Sequence, residues 1–433
     1  MSAVQALRQA RTFDSLRKHR NYRLYFTGQV VSVTGTWVQN VAQSWLIVEL
    51  THSAVAVGLL AACQFGPFAL LGLVGGALTD RLDYRKTLLA TQTAMMATAA
   101  ALGALVLLHV AQVWMVDVIA AANGLALVMD TPARQSFTIQ MVGRRELPNA
   151  VALNSSLFNA SRIMGPGLGG LIIATTGVGI CFLINAASFL AVLGGLLMMR
   201  PEELYPVARA ERGETLVHAI GDGLRYVRRT PQTRMLIVML LVVATVGVNF
   251  NVMLPLLASR TLHSGPEVFG LLSATFGAGA LAGALLAASL ARSMIPLLIA
   301  AAGGFGAFEL LLAPQSTVAG SVAALILVGV CFTVYTSQSN ATVQLTVPDQ
   351  LRGRVMSLYM YVFMGTAPLG GLLAGWLVDR GGTQLAFLVA GASGLVTAAY
   401  GAVRSGGLGV LRRRMARRRP TVEVSAGSAV PRE

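Results

Sequence analysis

Between two long apolar runs the chain compresses three cations and two acids into eleven residues, Gly76-Ala77-Leu78-Thr79-Asp80-Arg81-Leu82-Asp83-Tyr84-Arg85-Lys86. The flanking runs, residues 54–79 and 87–109, each exceed the roughly 20 residues a helix needs to cross a bilayer. A charged turn between two such runs belongs at a membrane surface. The same alternation continues along the chain and predicts twelve helices, at 23–49, 54–79, 87–109, 113–141, 149–174, 178–199, 233–259, 267–290, 294–313, 318–346, 351–378 and 383–404. With 55% apolar and 12% charged residues, against about a quarter charged in a soluble domain, the chain reads as an all-α polytopic membrane protein.

Charge placement orients it. With Arg134 assigned to the inner end of its helix, 30 of the 33 Lys and Arg residues fall on the side that carries both termini. Arg162, Arg260 and Arg380 are the exceptions. By the positive-inside rule both termini are cytoplasmic. Residues 1–22 form a cytoplasmic arm with no cleavage site, 23–199 a first six-helix bundle, 200–232 a linker, 233–404 a second bundle and 405–433 a basic tail. Leu216, Ile220, Leu224 and Val227 give the linker an amphipathic helix. The net charge of +15 and the triplets Arg412 to Arg414 and Arg417 to Arg419 suit anionic lipid of the inner leaflet rather than nucleic acid. Cys63, Cys181 and Cys331 show no paired spacing, so neither a disulfide framework nor a metal site is expected. His218 and Asp222, one turn apart, lie in the linker as a solvated pair. The ratio of 31 Arg to 2 Lys suggests a GC-rich bacterial source and hence an inner-membrane location.

The pattern Gly-x-Leu-x-Asp-Arg-x-x-x-Arg-Lys resembles the signature between helices 2 and 3 of the major facilitator superfamily of secondary transporters. The resemblance implies two pseudo-symmetric six-helix bundles rocking about a central site, with Gly76, Asp80, Arg81, Arg85 and Lys86 as a conformational latch. The cations also fix topology whether or not they latch. Gln140 and Leu147 echo Gln344 and Leu351, and Gly165-Pro166-Gly167-Leu168-Gly169-Gly170 echoes Ala367-Pro368-Leu369-Gly370-Gly371, as a six-helix repeat requires. The corresponding turn of the second half, Ala291-Arg292-Ser293, lacks the aspartate. Gly165, Pro166, Gly169 and Gly170 resemble the antiporter motif of exporters in this superfamily, and equally suit close helix packing. Leu16 to Arg23, Trp45 to Ser53, Asp130 to Gln135 and Ala150 to Ser156 look like the enterobactin-exporter-like branch, whose members export siderophores and drugs.

Charges inside the bilayer carry the most functional information, because each costs roughly 2.5–3.5 kcal/mol at a helix centre even on a lenient scale. Asp130 and Arg134 are spaced i,i+4 with the acid first. Asp130 lies about 16 Å and Arg162 about 20 Å from the inner face at 1.5 Å per residue. The three form either one buried network that shows Arg162 to an anionic substrate or a static ion pair. Glu309 and Glu49 are further acids for a coupling proton, after Asp130. Gln29, Ser32, Thr36, Asn40 and Gln43 recur on one face of helix 1, which predicts either a cavity wall completed by Trp37, Phe65, Asn249, Asn251, Tyr335, Gln338, Tyr359 and Tyr361 or polar and aromatic packing inside the bundle. Many proton-coupled drug exporters of the superfamily have an arginine in mid-helix 4, where this chain reads Ala121-Ala122-Asn123-Gly124-Leu125, so proton antiport comes from resemblance alone. The lysines, Lys18 and Lys86, follow arginines, so no P-loop binds ATP. The reading is a monomeric, cofactor-free exporter of a small amphipathic molecule, with a facilitator-type importer or uniporter as the rival.

Overall fold

The computed structural model describes residues 13–79, 81–206, 216–290 and 294–416. Asp80, the turn Ala291-Arg292-Ser293, the arm before residue 13 and the tail from 417, with Arg417 to Arg419, lie outside them, as do the side chains of His218 and of Arg412 to Arg414. The described residues form helices and no strand.

Helix α1 is Arg20–Thr51, α2 Ala54–Thr79 and α3 Tyr84–Leu107. Asp83 caps α3 by accepting from the Lys86 amide at 2.9 Å, which satisfies one of the first-turn donors that a helix leaves open. Val113–Thr176 holds two helices, α4 (113–142) and α5 (144–176), that reverse at Gly143, whose φ of 69° suits a residue without Cβ. The expected loop 142–148 is therefore a single glycine, with Pro148 accommodated in the first turns of α5. Then come α6 (Val178–Leu197), α7 (Pro231–Thr261), α8 (Pro266–Ser289), α9 (Ile295–Leu312) and α10 (Val318–Thr346). Helix α11 (349–380) begins at Asp349, and α12 (383–416) follows the reversal at Gly381 and Gly382. Nine helices among the described residues are long and apolar enough to cross a membrane. The reversals inside two of them, together with the more polar α1, make this compatible with the twelve crossings read from the sequence.

Helix α7 departs from the uniform helix expected at 233–259. It is interrupted by π turns at Val243–Gly247 and Leu257–Thr261. Asn249 donates to the Thr245 and Val246 carbonyls at 2.9 and 3.2 Å, covering groups that an interrupted helix in lipid would otherwise leave bare. Between α6 and α7 the helix Leu216–Arg229 buries Val227 and leaves Leu224 exposed. Its Asp222 bridges Arg225 at 3.2 Å and Arg354, near the start of α11, at 2.6 Å.

The two halves meet at two crossings. At α5–α8, a Cβ at Gly170 would stand 2.5 Å from the Pro266 carbonyl and one at Gly270 2.6 Å from the Pro166 carbonyl. At α2–α11, a Cβ at Gly58 would stand 2.5 Å from the Gly371 carbonyl. Both crossings lie toward the face opposite the termini. Toward the termini the halves part around a cavity of about 720 Å³, lined among others by Gly76, Thr131, Gln135, Gly353 and Arg354.

Gly170→Val should therefore cost about 1–3 kcal/mol through overpacking, read as a fall of several degrees in the thermal midpoint in detergent. Gly194→Ala, where a Cβ meets nothing within 4 Å, should leave the midpoint unchanged or raise it.

Candidate functional site

At the centre, between the two crossings and the open side, lies a chamber of about 270 Å³. Trp37, Asn40 and Ser44 of α1 and Gln64 and Phe65 of α2 form one wall; Phe250, Asn251, Phe269, Phe276, Phe332 and Phe363 form the other. Arg162 and Pro166 of α5 stand between them, and among the described residues Arg162 is the one charged member of the lining. Its guanidinium carbon lies 5.8 Å from the Phe276 ring centroid, a cation–π contact. Its Nε finds no partner among the described residues. Gln64 Nε2 donates to Asn40 Oδ1 at 3.2 Å, holding two amides at the wall.

Asp130 and Arg134 make a separate network beside the chamber. Asp130 Oδ1 accepts from Thr91 Oγ1 at 2.9 Å and Gln92 Nε2 at 2.8 Å, while its Oδ2 accepts from Arg134 Nε at 3.2 Å and pairs with Nη2. Arg134 Nη1 also donates to Gln29 Oε1. Arg162 takes no part in these bonds. Four donor bonds on one carboxylate supply the compensation that a charge at this depth requires. Glu309 on α9 is fully buried with neither oxygen partnered among the described residues. Glu49, exposed, accepts from Trp45 Nε1 at 2.7 Å.

The polar stripe of α1 divides. Asn40 reaches the chamber, Gln29 turns to Arg134, Thr36 donates to its own helix at Ser32 O at 2.9 Å, and Gln43 is buried with an Nε2 that finds no partner among the described residues. Other residues named for the cavity lie elsewhere. Asn249 caps the break in α7, Gln338 accepts from the Met294 amide at 3.0 Å, Tyr335 is buried, and the Tyr359 hydroxyl faces Thr336 O at 3.4 Å. Tyr361 donates to Ala69 O at 2.5 Å across α2 and α11. In the charged turn, Arg85 donates to the last carbonyls of α6, Leu196 at 2.9 Å and Leu197 at 3.3 Å, while Arg81 and Lys86 are exposed. Gly76 faces the larger cavity; it is Gly75 that packs on Val128. In the Gly-Pro string, Gly165 and Gly169 lie against α1 at Trp37 and Val38, and Gly170 meets α8.

Sequence reasoning missed Thr91 and Gln92, whose amphipathic surroundings give no signal. It also missed Asp379, at the end of α11. There Arg260 Nη1 donates to Asp379 Oδ1 at 2.8 Å, and the Ala54 and Val55 amides donate to the same carboxylate at 3.1 and 3.0 Å. Arg260 also reaches the His52 carbonyl, and Arg380 lies 5.3 Å from the Trp376 ring centroid. The two outlying arginines of the charge count thus have partners on the face opposite the termini.

A helical membrane protein with two halves crossing at α2–α11 and α5–α8 around one central chamber is a transporter of the major facilitator type. The chain belongs to the family described as "Transmembrane secretion effector", whose sequence model matches residues 10–405. It is 27% identical over 362 residues to the multidrug efflux pump Tap of Mycolicibacterium fortuitum, covering 82% of this chain and 88% of that one. Over 375 residues it is 23% identical to a staphyloferrin A transporter of Staphylococcus aureus, covering 86% and 93%. With the enterobactin exporter EntS of Salmonella typhimurium it shares 26% over 366 residues, covering 82% and 86%. In fold it is similar to the nucleoside transporter NupG, with a TM-score of 0.65 at 14% identity over 91% of this chain and 98% of the other. A bacterial homologue of the lysosomal transporter Spinster, solved inward-facing and unoccupied, gives 0.65 at 14% over 94% and 98%. The protein is a membrane transporter of small molecules and not an enzyme.

Asp130→Asn would leave Arg134 without its anion. Breaking a buried pair costs about 3–5 kcal/mol, and with the Arg134 side chain 30% exposed about 2 kcal/mol is expected. Thr91→Val should cost about 1 kcal/mol; unfolding titrations in detergent measure both.

Proposed function

We propose that the protein exports a small amphipathic anion from the bacterial cytoplasm by alternating access coupled to inward proton flow. The single observation that carries the reading is Arg162, the lone charge on a chamber wall rich in aromatic rings. A flat or apolar body stacks on such walls. A carboxylate, phosphate or catecholate oxygen gives the guanidinium the acceptor its Nε lacks. A cationic drug would instead meet a like charge with no carboxylate on the lining to offset it. The names of the relatives, among them efflux pumps and a siderophore exporter, support export and leave the ligand open.

The termini face is the cytoplasmic face by its cations, which include Arg17, Lys18, Arg20, Arg23, Arg81, Arg85 and Lys86. The side open to the larger cavity is then the cytoplasmic side, where an exporter takes up its ligand. Anionic lipid on the same leaflet suits these cations, and the carrier works as a monomer. Asp130 carries the coupling proton: it is buried, at the level of the cavity, and its loss of charge would release Arg134. Glu309 is the second candidate. Asp80 latches the cytoplasmic face when it closes, so Asp80→Asn should slow interconversion with little change in ligand affinity.

The test is an untargeted comparison of small molecules inside and outside cells that express the intact protein or Arg162→Ala. An anionic compound enriched outside only with the intact protein is expected, at least about tenfold over the variant, since one charge-assisted hydrogen bond is worth about 1.5–3 kcal/mol. Accumulation inside the cells would overturn export, and loss of folded yield in Arg162→Ala would return Arg162 to a structural role. In liposomes, Asp130→Asn should abolish uptake driven by a pH gradient yet retain counterflow exchange of the same compound; gradient-driven uptake at the parent rate would move the coupling proton to Glu309, with Glu309→Gln as the next variant.

A further inference from the structure

A further cavity, of about 570 Å³, lies in the first half toward the termini, between α1, α4 and α5. It adjoins the cavity of about 720 Å³ at Gln135, which borders both. Tyr25, Gln29 and Arg134 are among its polar members, and Val33, Val151 and Phe158 among its apolar ones. Among the described residues no acid borders it. The carboxylate of Asp130 lies behind Arg134 and outside the lining.

The donors around this pocket outnumber the acceptors that meet them. A guanidinium carries five N–H donors. Arg134 gives its Nε–H and one Nη2 proton to Asp130 and one Nη1 proton to Gln29, which leaves two N–H over on a side chain that is 30% exposed. Because Gln29 Oε1 faces Arg134, its Nε2 is turned away, and that buried nitrogen finds no partner among the described residues. The same is true of the hydroxyl of Tyr25, a residue 1% exposed. Tyr22 donates to Asn154 Oδ1 at 3.0 Å, so the side of Asn154 left for a ligand is its Nδ2 donor. A scaffold gains nothing from buried donors left open. A carboxylate or phosphate brings acceptors and no donor, and the fork of Arg134 matches its geometry. A cationic head would meet Arg134 with no bordering acid to offset it.

The pocket and the Arg162 chamber are stacked along the same two helices. On α1, Val33 borders the pocket and Trp37, one turn on, the chamber; on α5, Phe158 borders the pocket and Arg162, one turn on, the chamber. Trp37 and Phe158 meet edge to face between the two spaces, with ring centroids 5.8 Å apart. Trp37 is pinned against α5, where a Cβ at Gly165 would stand 2.3 Å from the Trp37 Cβ. Phe158 is 50% exposed and is the ring free to turn. From these we infer that the pocket is a second anion site, a loading site that takes the carboxylate or phosphate head of the ligand at Arg134, Gln29 and Tyr25 and passes it to Arg162 when Phe158 turns aside. The inference rests on the reading of Arg162 as an anion site entered from the cytoplasm. It makes Arg134 and Tyr25 binding residues and Phe158 a positioning residue.

The test uses the full chain in phosphatidylcholine nanodiscs, with para-iodobenzoate, an aromatic ring bearing one carboxylate, as the probe. Calorimetric titration should give two bound equivalents in the parent and one in either Arg134→Gln or Arg162→Gln. Tyr25→Phe should weaken one equivalent at least about fivefold, with the thermal midpoint unchanged or raised, because the hydroxyl it removes has no partner to lose. A merely structural tyrosine would leave binding alone. Should Arg134→Gln fail to fold, Tyr25→Phe carries the test with the Asp130 pair untouched. In a chain that keeps Trp37 as its one tryptophan, the iodine atom should quench fluorescence in two phases, and Phe158→Ala should merge them. A single equivalent that Arg162→Gln removes and Tyr25→Phe leaves at parent affinity overturns the loading site and spares the chamber reading. A single equivalent that only Arg134→Gln removes supports the second site and sinks the chamber reading. Two unchanged phases in Phe158→Ala overturn the transfer between sites. Loss of the Arg134 equivalent when phosphatidylglycerol replaces phosphatidylcholine assigns the pocket to a lipid phosphate and overturns its loading role. No binding in the folded parent sinks both readings.

Discussion

Backbone laid against backbone at two glycine crossings is the contact on which the rest of this protein depends. Lipid tails are as apolar as leucine, so no hydrophobic drive presses the halves together; close packing must do it. Gly170 with Gly270 and Gly58 with Gly371 let carbonyls of one half meet α-carbons of the other. Both contacts lie toward one face, so the halves splay at the other. The chamber sits where the splay begins. Its position therefore follows from where glycine occurs in four helices, before any side chain that lines it is considered.

The buried charges are met in different ways, and the differences sort them. Asp130 is surrounded by donors and holds α3, α4 and, through Arg134 and Gln29, α1. Asp379 is shared between two helix amides and an arginine at the rim, where solvent weakens each bond and several are combined. Arg162 has a ring face on one side and an unmet donor on the other. A group with its bonding complete serves the scaffold or a switch; a group left incomplete in a cavity is available to a ligand.

The fold was legible because each crossing leaves a long apolar run and each turn a cluster of charge or glycine. Where the reading erred in detail, backbone freedom was the cause: Gly143 alone turns α4 into α5, and α7 breaks at π turns that hydropathy does not register. The candidate site was legible only in part. Polarity and period mark Asn40, Gln29 and Gln43 equally as unusual in lipid, yet one faces the chamber, one an arginine and one the packed interior. Which neighbour receives a side chain depends on how helices from distant parts of the chain rotate against one another. Tyr335, Gln338 and Tyr359 fall outside the chamber for the same reason. Asp379 was hidden differently. Two of its partners are backbone amides at the start of α2, which carry no side-chain signal in the sequence.

In the proposed cycle, Arg162 also bears on the stroke that returns the carrier without its ligand. A guanidinium held among phenyl rings has lost much of its water, and the ring of Phe276 returns only part of that loss. The unloaded chamber is thus the costlier one whenever it is sealed from both sides. If the ligand is the anion proposed above, its binding would relieve that cost during the outward stroke, while on the return the charge would travel sealed in without such relief unless a small counter-ion such as chloride took its place. The slow step of that cycle would then belong to the returning carrier, and exchange of one anion for another would outpace net movement.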